Sequence, residues 1–179
     1  MKVSIALRGV DIKKLLKHIV IIVDTREQQN KHILDYFDKE KIKYEKKALD
    51  YGDYSVKIYK NEELGLPFDI TLEHTICIER KNGLTEISNN LTHKRAEFEV
   101  EFEKARRDRA KMYLLIENAS WNDIWNKDYQ TMFNANSFYN SLLSFRDRHN
   151  FNVDFIKKED AGLHIHKILA MYVRKLLVK

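Results

Sequence analysis

The runs Ile19 to Val23 and Met112 to Ile116 carry no charge at any position, and each is only a strand's length. A half-exposed strand alternates apolar and polar side chains, so an unbroken short run reads as a strand covered on both faces. Between such runs the apolar spacing changes to that of a helix. Ile33, Leu34, Phe37 and Ile42 mark one helix over residues 28–41. A second, over residues 94–111, puts Phe98, Phe102 and Ala105 on one face and Glu97, Glu101 and Arg109 elsewhere. Strands and helices in alternation predict an α/β layered fold around a largely buried central sheet.

The same signals predict further strands at residues 3–8, 18–25, 43–49, 53–59, 75–81 and 153–156, with Asp50-Tyr51-Gly52 as a kink between the third and fourth. Residues 60–69 hold the only proline, Pro67, and read as an exposed loop. Short helices are expected around residues 11–17 and, capped by Ser120, across Trp121 and Trp125. Longer ones are expected over residues 136–149 and 160–177. No repeat, low-complexity tract or linker interrupts the 179 residues, which is the length of one well-packed domain.

A hydrophobic content of 44% with 33% charged residues describes a globular chain. Its single cysteine, Cys77, excludes an internal disulfide. No apolar run is long enough to span a bilayer, and Lys and Asp interrupt residues 11–17, where a signal peptide would need an apolar stretch. A cytoplasmic location without membrane partners is therefore expected. The net charge of +5 permits nucleic-acid binding without establishing it. The lysines of residues 39–47 and the group Arg106, Arg107 and Arg109 read as solvated faces that matter only beside a centre handling phosphates.

Such a centre is suggested by Glu79-Arg80-Lys81, three consecutive charges closing the apolar run Thr75 to Ile78. Strand alternation puts Glu79 and Lys81 on one face and Arg80 on the other. Charges at the end of a buried strand are costly unless they are paired or used by a metal. Asp24 and Asp53 stand at two more strand-like segments. Hydrolysis of a phosphodiester needs a nucleophilic water and stabilisation of charge on the phosphoryl oxygens, which divalent ions on hard oxygen ligands supply. Asp53 and Glu79 have the chemistry of such ligands. Lys81 suits the attacking water or the scissile phosphate, and Arg26 and Arg80 suit phosphate oxygens.

The string Asp24-Thr25-Arg26-Glu27, then Gly52-Asp53-Tyr54, then Ile78-Glu79-Arg80-Lys81, resembles the nuclease domain of the XPF family of structure-selective endonucleases. Ser88, the stretch from Arg95 through Phe98 to Arg106, and the strand Tyr113 to Glu117 extend the likeness over most of the chain, and its compact form resembles stand-alone phage versions. The resemblance implies a single domain with a mixed β-sheet flanked by helices, a restriction-endonuclease-like core. It implies a metal-dependent endonuclease acting on branched DNA (flaps, forks or junctions) with Mg²⁺ or Mn²⁺, in the host cytoplasm if phage-encoded. Residue by residue, Asp53, Glu79 and Asp24 match the metal-binding acids and Lys81 the catalytic lysine. Arg26 and Arg80 match the family's arginines at the site, with Glu27 beside them. Arg95 matches an arginine of the following helix that would contact DNA.

Two departures stand out. In the family's signature, Gly-Asp, a variable spacer, Glu-Arg-Lys, three residues and Asp, the last place is held by Thr85 with Glu86 next to it. Nothing after Phe155 is Gly-rich enough for the family's tandem helix-hairpin-helix module. Either a protein partner would then supply DNA affinity or the domain binds DNA by itself as a homodimer, for which Tyr139, Leu142, Leu143 and Phe145 form the expected face. Thr85 also motivates a second reading, a non-cleaving DNA-binding partner subunit. A third is an exonuclease on the same fold. His164-x-His166 lacks the ligand spacing of a zinc site, so the histidines, His93 included, read as surface or packed residues. Trp121, Trp125, Phe133 and Tyr139 read as packing residues before base-stacking ones.

Overall fold

The computed structural model describes residues 11–177, and the strand expected at residues 3–8 lies outside that range. Asp11 caps a short helix α1 (Ile12–Leu15), which leads into β1 (Ile19–Val23), buried at every position as its unbroken apolar run requires. Helix α2 (Lys31–Lys39) follows, then β2 (Lys43–Lys46), β3 (Tyr54–Ile58), a two-residue β4 (Ile70–Thr71) and β5 (Ile76–Lys81). Helices α3 (Leu84–Asn90) and α4 (Arg95–Asp108) precede β6 (Lys111–Glu117). The chain closes with α5 (Trp121–Asn126), α6 (Ala135–His149), β7 (Asn152–Ile156) and α7 (Ala161–Leu177).

One seven-stranded sheet runs β2-β1-β3-β5-β6-β7, with β4 beside β3. It is mixed: β3 is antiparallel to β1 and β5, whereas β2 with β1, β5 with β6 and β6 with β7 are parallel pairs. The segments on either side of the Asp50-Tyr51-Gly52 kink are the expected strands, β2 and β3, and they do not pair with each other. They pair with opposite edges of β1. The loop of residues 60–69 is mostly exposed but pinned by Leu66, which is fully buried.

Both faces are covered. Helices α2 and α7 bring Phe37, Ile165 and Leu169 onto Ile21, Val56 and Ile78. Helices α3, α4 and α6 pack Ile87, Phe102 and Phe145 onto Cys77, Leu114 and Ile116. Leu142 and Phe145, assigned above to a homodimer face, are spent inside this second core. The surplus apolar content of α6 is explained by Phe98, Phe102 and Phe151, whose rings meet Phe145 within 5.5 Å. Among the described residues no helix is long and apolar enough to cross a membrane. The result is a single α/β domain whose charged strand ends gather along one edge of the sheet.

Candidate active site

Gly52 sets the site's geometry. Its φ of 70° belongs to the left-handed region, and a Cβ there would stand 3.0 Å from the Cβ of Cys77. The glycine lets the turn before β3 lie flat on β5, where the Asp53 amide donates to the Ile78 carbonyl at 2.8 Å. The Asp53 carboxylate then accepts the Arg80 amide at 2.7 Å, and the Asp53 carbonyl accepts the Asp24 amide at 2.8 Å. Three segments distant in sequence are thereby fixed together.

Glu79 and Lys81 share one face of β5, as alternation requires, and both are buried. Lys81 Nζ lies 2.7 Å from Glu79 Oε1 and 3.5 Å from Glu86 Oε1. Burial lowers the Lys81 pKa, but the charges of Glu79, Asp53 and Glu86 outweigh it and hold the ammonium firmly protonated. Asp53 responds oppositely: burial and the nearby Glu79 charge push its carboxyl well above the ordinary range.

Asp24 is fully buried. Both oxygens are committed: Oδ1 accepts the Arg26 amide at 2.6 Å and Nε at 2.9 Å, and Oδ2 accepts Arg26 Nη2 and the Leu49 amide, each at 2.8 Å. Burial raises the Asp24 pKa, but these bonds outweigh it and hold the carboxyl below the ordinary range. Four donors thus surround the Asp24 carboxylate and align the Arg26 guanidinium against it. Arg26 also donates Nη2 to the Leu49 carbonyl, while its Nη1 edge stands 3.8 Å from Glu101 in a largely exposed side chain.

Arg80 takes the opposite face of β5, as alternation requires. It leaves the sheet on the α2 side, only 4% exposed, between Glu27 and Glu117, so in this arrangement its guanidinium is withdrawn from a phosphate. Arg95 begins α4, half-exposed, with Glu99 at 3.9 Å as its partner. Thr85 is not a stand-in for a carboxylate. Its hydroxyl accepts the Gln130 amide at 3.1 Å, and the buried Ser88 beneath meets Thr131 at 2.9 Å, so α3 holds the loop of residues 127–134. Glu86 is the acid that turns inward toward Lys81, and it also caps the Asn82 amide at 2.8 Å.

Sequence reasoning missed two carboxylates. Glu101 was placed away from the apolar face of α4, yet it closes over the site, and burial with the Glu79 charge pushes its pKa up to about 7. Only the helix position one turn from Phe98 hinted at it. Glu117 ends the apolar run of β6 as Glu79 ends that of β5, a signal legible in principle. Among the described residues no three His, Cys, Asp or Glu side chains converge closely enough to hold an ion alone. Asp53 and Glu79 remain as two hard, mutually repelling oxygen donors. That donor set fits Mg²⁺ or Mn²⁺, ions that keep several waters and complete their shell with substrate phosphate. Beyond the site, Asp50, His74, Lys104, Arg107 and Asp108 line an open groove of about 550 Å³, joined to the Gly52 turn by the Tyr51 hydroxyl, which donates to Asp108 at 2.8 Å.

The chain superposes on XPF from Aeropyrum pernix with a TM-score of 0.62 at 14% identity, covering 88% of this chain and 66% of that one. It superposes on XPF from Aeropyrum pernix in complex with DNA with a TM-score of 0.59 at 14% identity, covering 89% and 67%. The chain thus spans about two thirds of the length of those proteins, and the likeness is one of fold. No curated protein matches its sequence. The profile of the ERCC4 domain matches residues 23–168, from the last residue of β1 into α7. The chain belongs to the ERCC4-domain family.

Proposed function

We propose that the chain is a divalent-metal-dependent endonuclease that hydrolyses phosphodiester bonds in branched DNA. The observation that carries this reading is the set Asp53, Glu79 and Lys81, two carboxylates and an ammonium gathered at adjoining strand ends, with Glu79 and Lys81 buried. Asp53 and Glu79 would hold Mg²⁺ or Mn²⁺. When bound, the ion supplies Lewis-acid stabilisation of the phosphoryl oxygens and a more acidic water.

The chain's own groups do the rest. Lys81, permanently charged, holds the attacking water or a non-bridging phosphate oxygen, and Glu86 steers its ammonium. Arg26, its fork aligned by Asp24, presents its free Nη1 edge to a phosphate, displacing Glu101. Arg95, Lys104 and Arg107 are exposed cations for the backbone on either side, with a protein partner or second copy supplying further affinity.

A specific observation keeps the second reading in play: Thr85 is committed to the loop of residues 127–134 and supplies no carboxylate. On that reading the domain binds branched DNA without cutting it. Cleavage of flap, fork and four-way-junction DNAs with Mg²⁺ or Mn²⁺, wild type against Asp53→Ala, separates the two. Cleavage lost in the variant supports the endonuclease. Binding without cleavage in both proteins supports the partner subunit, and cleavage confined to open ends of linear DNA, with closed circles intact, indicates an exonuclease.

A further inference from the structure

Glu117 is fully buried at the end of β6, on the face of the sheet opposite Glu79 and Lys81. There it accepts Arg80 Nη1 at 3.0 Å, and its other oxygen lies 2.7 Å from His32 Nε2 on α2. The second arm of Arg80 donates to Glu27 Oε1 and the Gln29 carbonyl, both at 3.3 Å. A buried guanidinium is tolerable only when compensated on several sides, so these contacts confine Arg80 to one geometry. The main chain of the same residue lies in the plane of the sheet, where its amide donates to Asp53 Oδ2 at 2.7 Å. Arg80 therefore joins the Glu117 cluster to the Asp53 carboxylate.

We infer that Glu117, backed by His32, is a positioning residue for the carboxylate centre. By pinning the Arg80 guanidinium it fixes the Arg80 amide, and through that amide the orientation of the Asp53 carboxylate. One oxygen of Asp53 is committed to the amide and the other is left to the site. The consequence for metal binding rests on the proposed function, whereas the geometric coupling does not. Partners that hold a ligating carboxylate from behind change metal affinity by roughly 10- to 100-fold when removed, and Glu117 stands one step further back.

The test compares Glu117→Gln, which keeps size and an acceptor but removes the charge, with Leu169→Ala, a core truncation in α7 on the same side of the sheet. Two quantities are read: the chemical shift and exchange rate of the Arg80 amide proton by NMR, and Mn²⁺ affinity by calorimetry. In Glu117→Gln the Arg80 amide moves upfield and exchanges faster, and the Mn²⁺ dissociation constant rises roughly tenfold. Leu169→Ala lowers thermal stability and leaves both unchanged. His32→Gln, at a partly exposed position, shifts the amide in the same direction by less and serves if Glu117→Gln does not fold. An Arg80 amide indifferent to these changes, or one moved equally by Leu169→Ala, overturns the inference. A responsive amide in a wild type that takes up no Mn²⁺ would refute the metal reading and leave the positioning role standing.

Discussion

Lys81 Nζ lies 2.7 Å from Glu79 Oε1, and the pair is buried on one face of β5. The lysine answers to three carboxylates, since Asp53 and Glu86 also contribute to its raised pKa. A raised lysine pKa contributes stability that is complete below the unfolded value of 10.5 and is lost as pH rises through the folded one. At neutral pH that contribution is fully present. Lys81→Met is expected to cost about 3 kcal/mol in urea denaturation. Cleavage under single-turnover conditions should fall by at least about 100-fold.

Glu101 gives the chain a pH signature. Its pKa, raised to about 7 from an ordinary 4.5, means that folding favours the protonated acid. The contribution is complete below about 4.5 and is lost as pH rises through about 7. Thermal denaturation should therefore show Glu101→Gln gaining on the wild type between these values and holding a constant advantage above them. A difference independent of pH would show that Glu101 is not protonated by folding.

Gly52→Ala combines a left-handed backbone with a Cβ at 3.0 Å from Cys77 and 3.3 Å from the Ile78 carbonyl. A loss of about 2 kcal/mol or more is expected from the backbone strain and the displaced turn. Because that turn carries Asp53, Mn²⁺ affinity should weaken in the folded fraction as well, read by calorimetry below the melting temperature.

Glu86, not Thr85, is the acid at Lys81. Glu86→Gln should reduce the cleavage rate about tenfold, the effect of one interaction worth roughly 1.4 kcal/mol. Thr85→Val should leave the rate within about twofold, a few tenths of a kcal/mol. Its effect belongs to the loop of residues 127–134, where limited proteolysis should quicken. Equal losses of cleavage in the two variants would return Thr85 to the site.

Gly162 opens α7 against Tyr36, and a Cβ there would meet Tyr36 Cδ1 at 2.7 Å. Gly162→Ala should destabilise the domain by roughly 1–3 kcal/mol through overpacking of α2 on α7. Cleavage by the folded protein should be unchanged, because this contact lies on the face away from Lys81.

Much of the architecture was legible because its causes are local. The alternation of apolar runs with helical periods located each expected strand and helix within the described residues to within a few positions at its ends. Other features needed the assembled chain. The helical spacing of Leu142 and Phe145 says that a face is apolar, not whether its partner is internal. Their partners proved to be Phe98, Phe102 and Phe151 of the same domain. The strands flanking Gly52 pair with β1 rather than with each other, because the chain between them crosses the sheet instead of forming a hairpin.

The site divides along the same line. The sequence by itself determined that Glu79 and Lys81 share a face and that Arg80 opposes them, since strand alternation depends only on neighbouring residues. The order of its charged segments identified the family. Tertiary structure decided the use of each charge: Asp24 saturated by Arg26 and Leu49, Arg80 buried between Glu27 and Glu117, Glu86 turned toward Lys81, and Glu101 closed over them. A charge's role depends on which groups desolvate and neutralise it. For Arg80 those groups lie 53 and 37 residues away along the chain, beyond the reach of any local pattern.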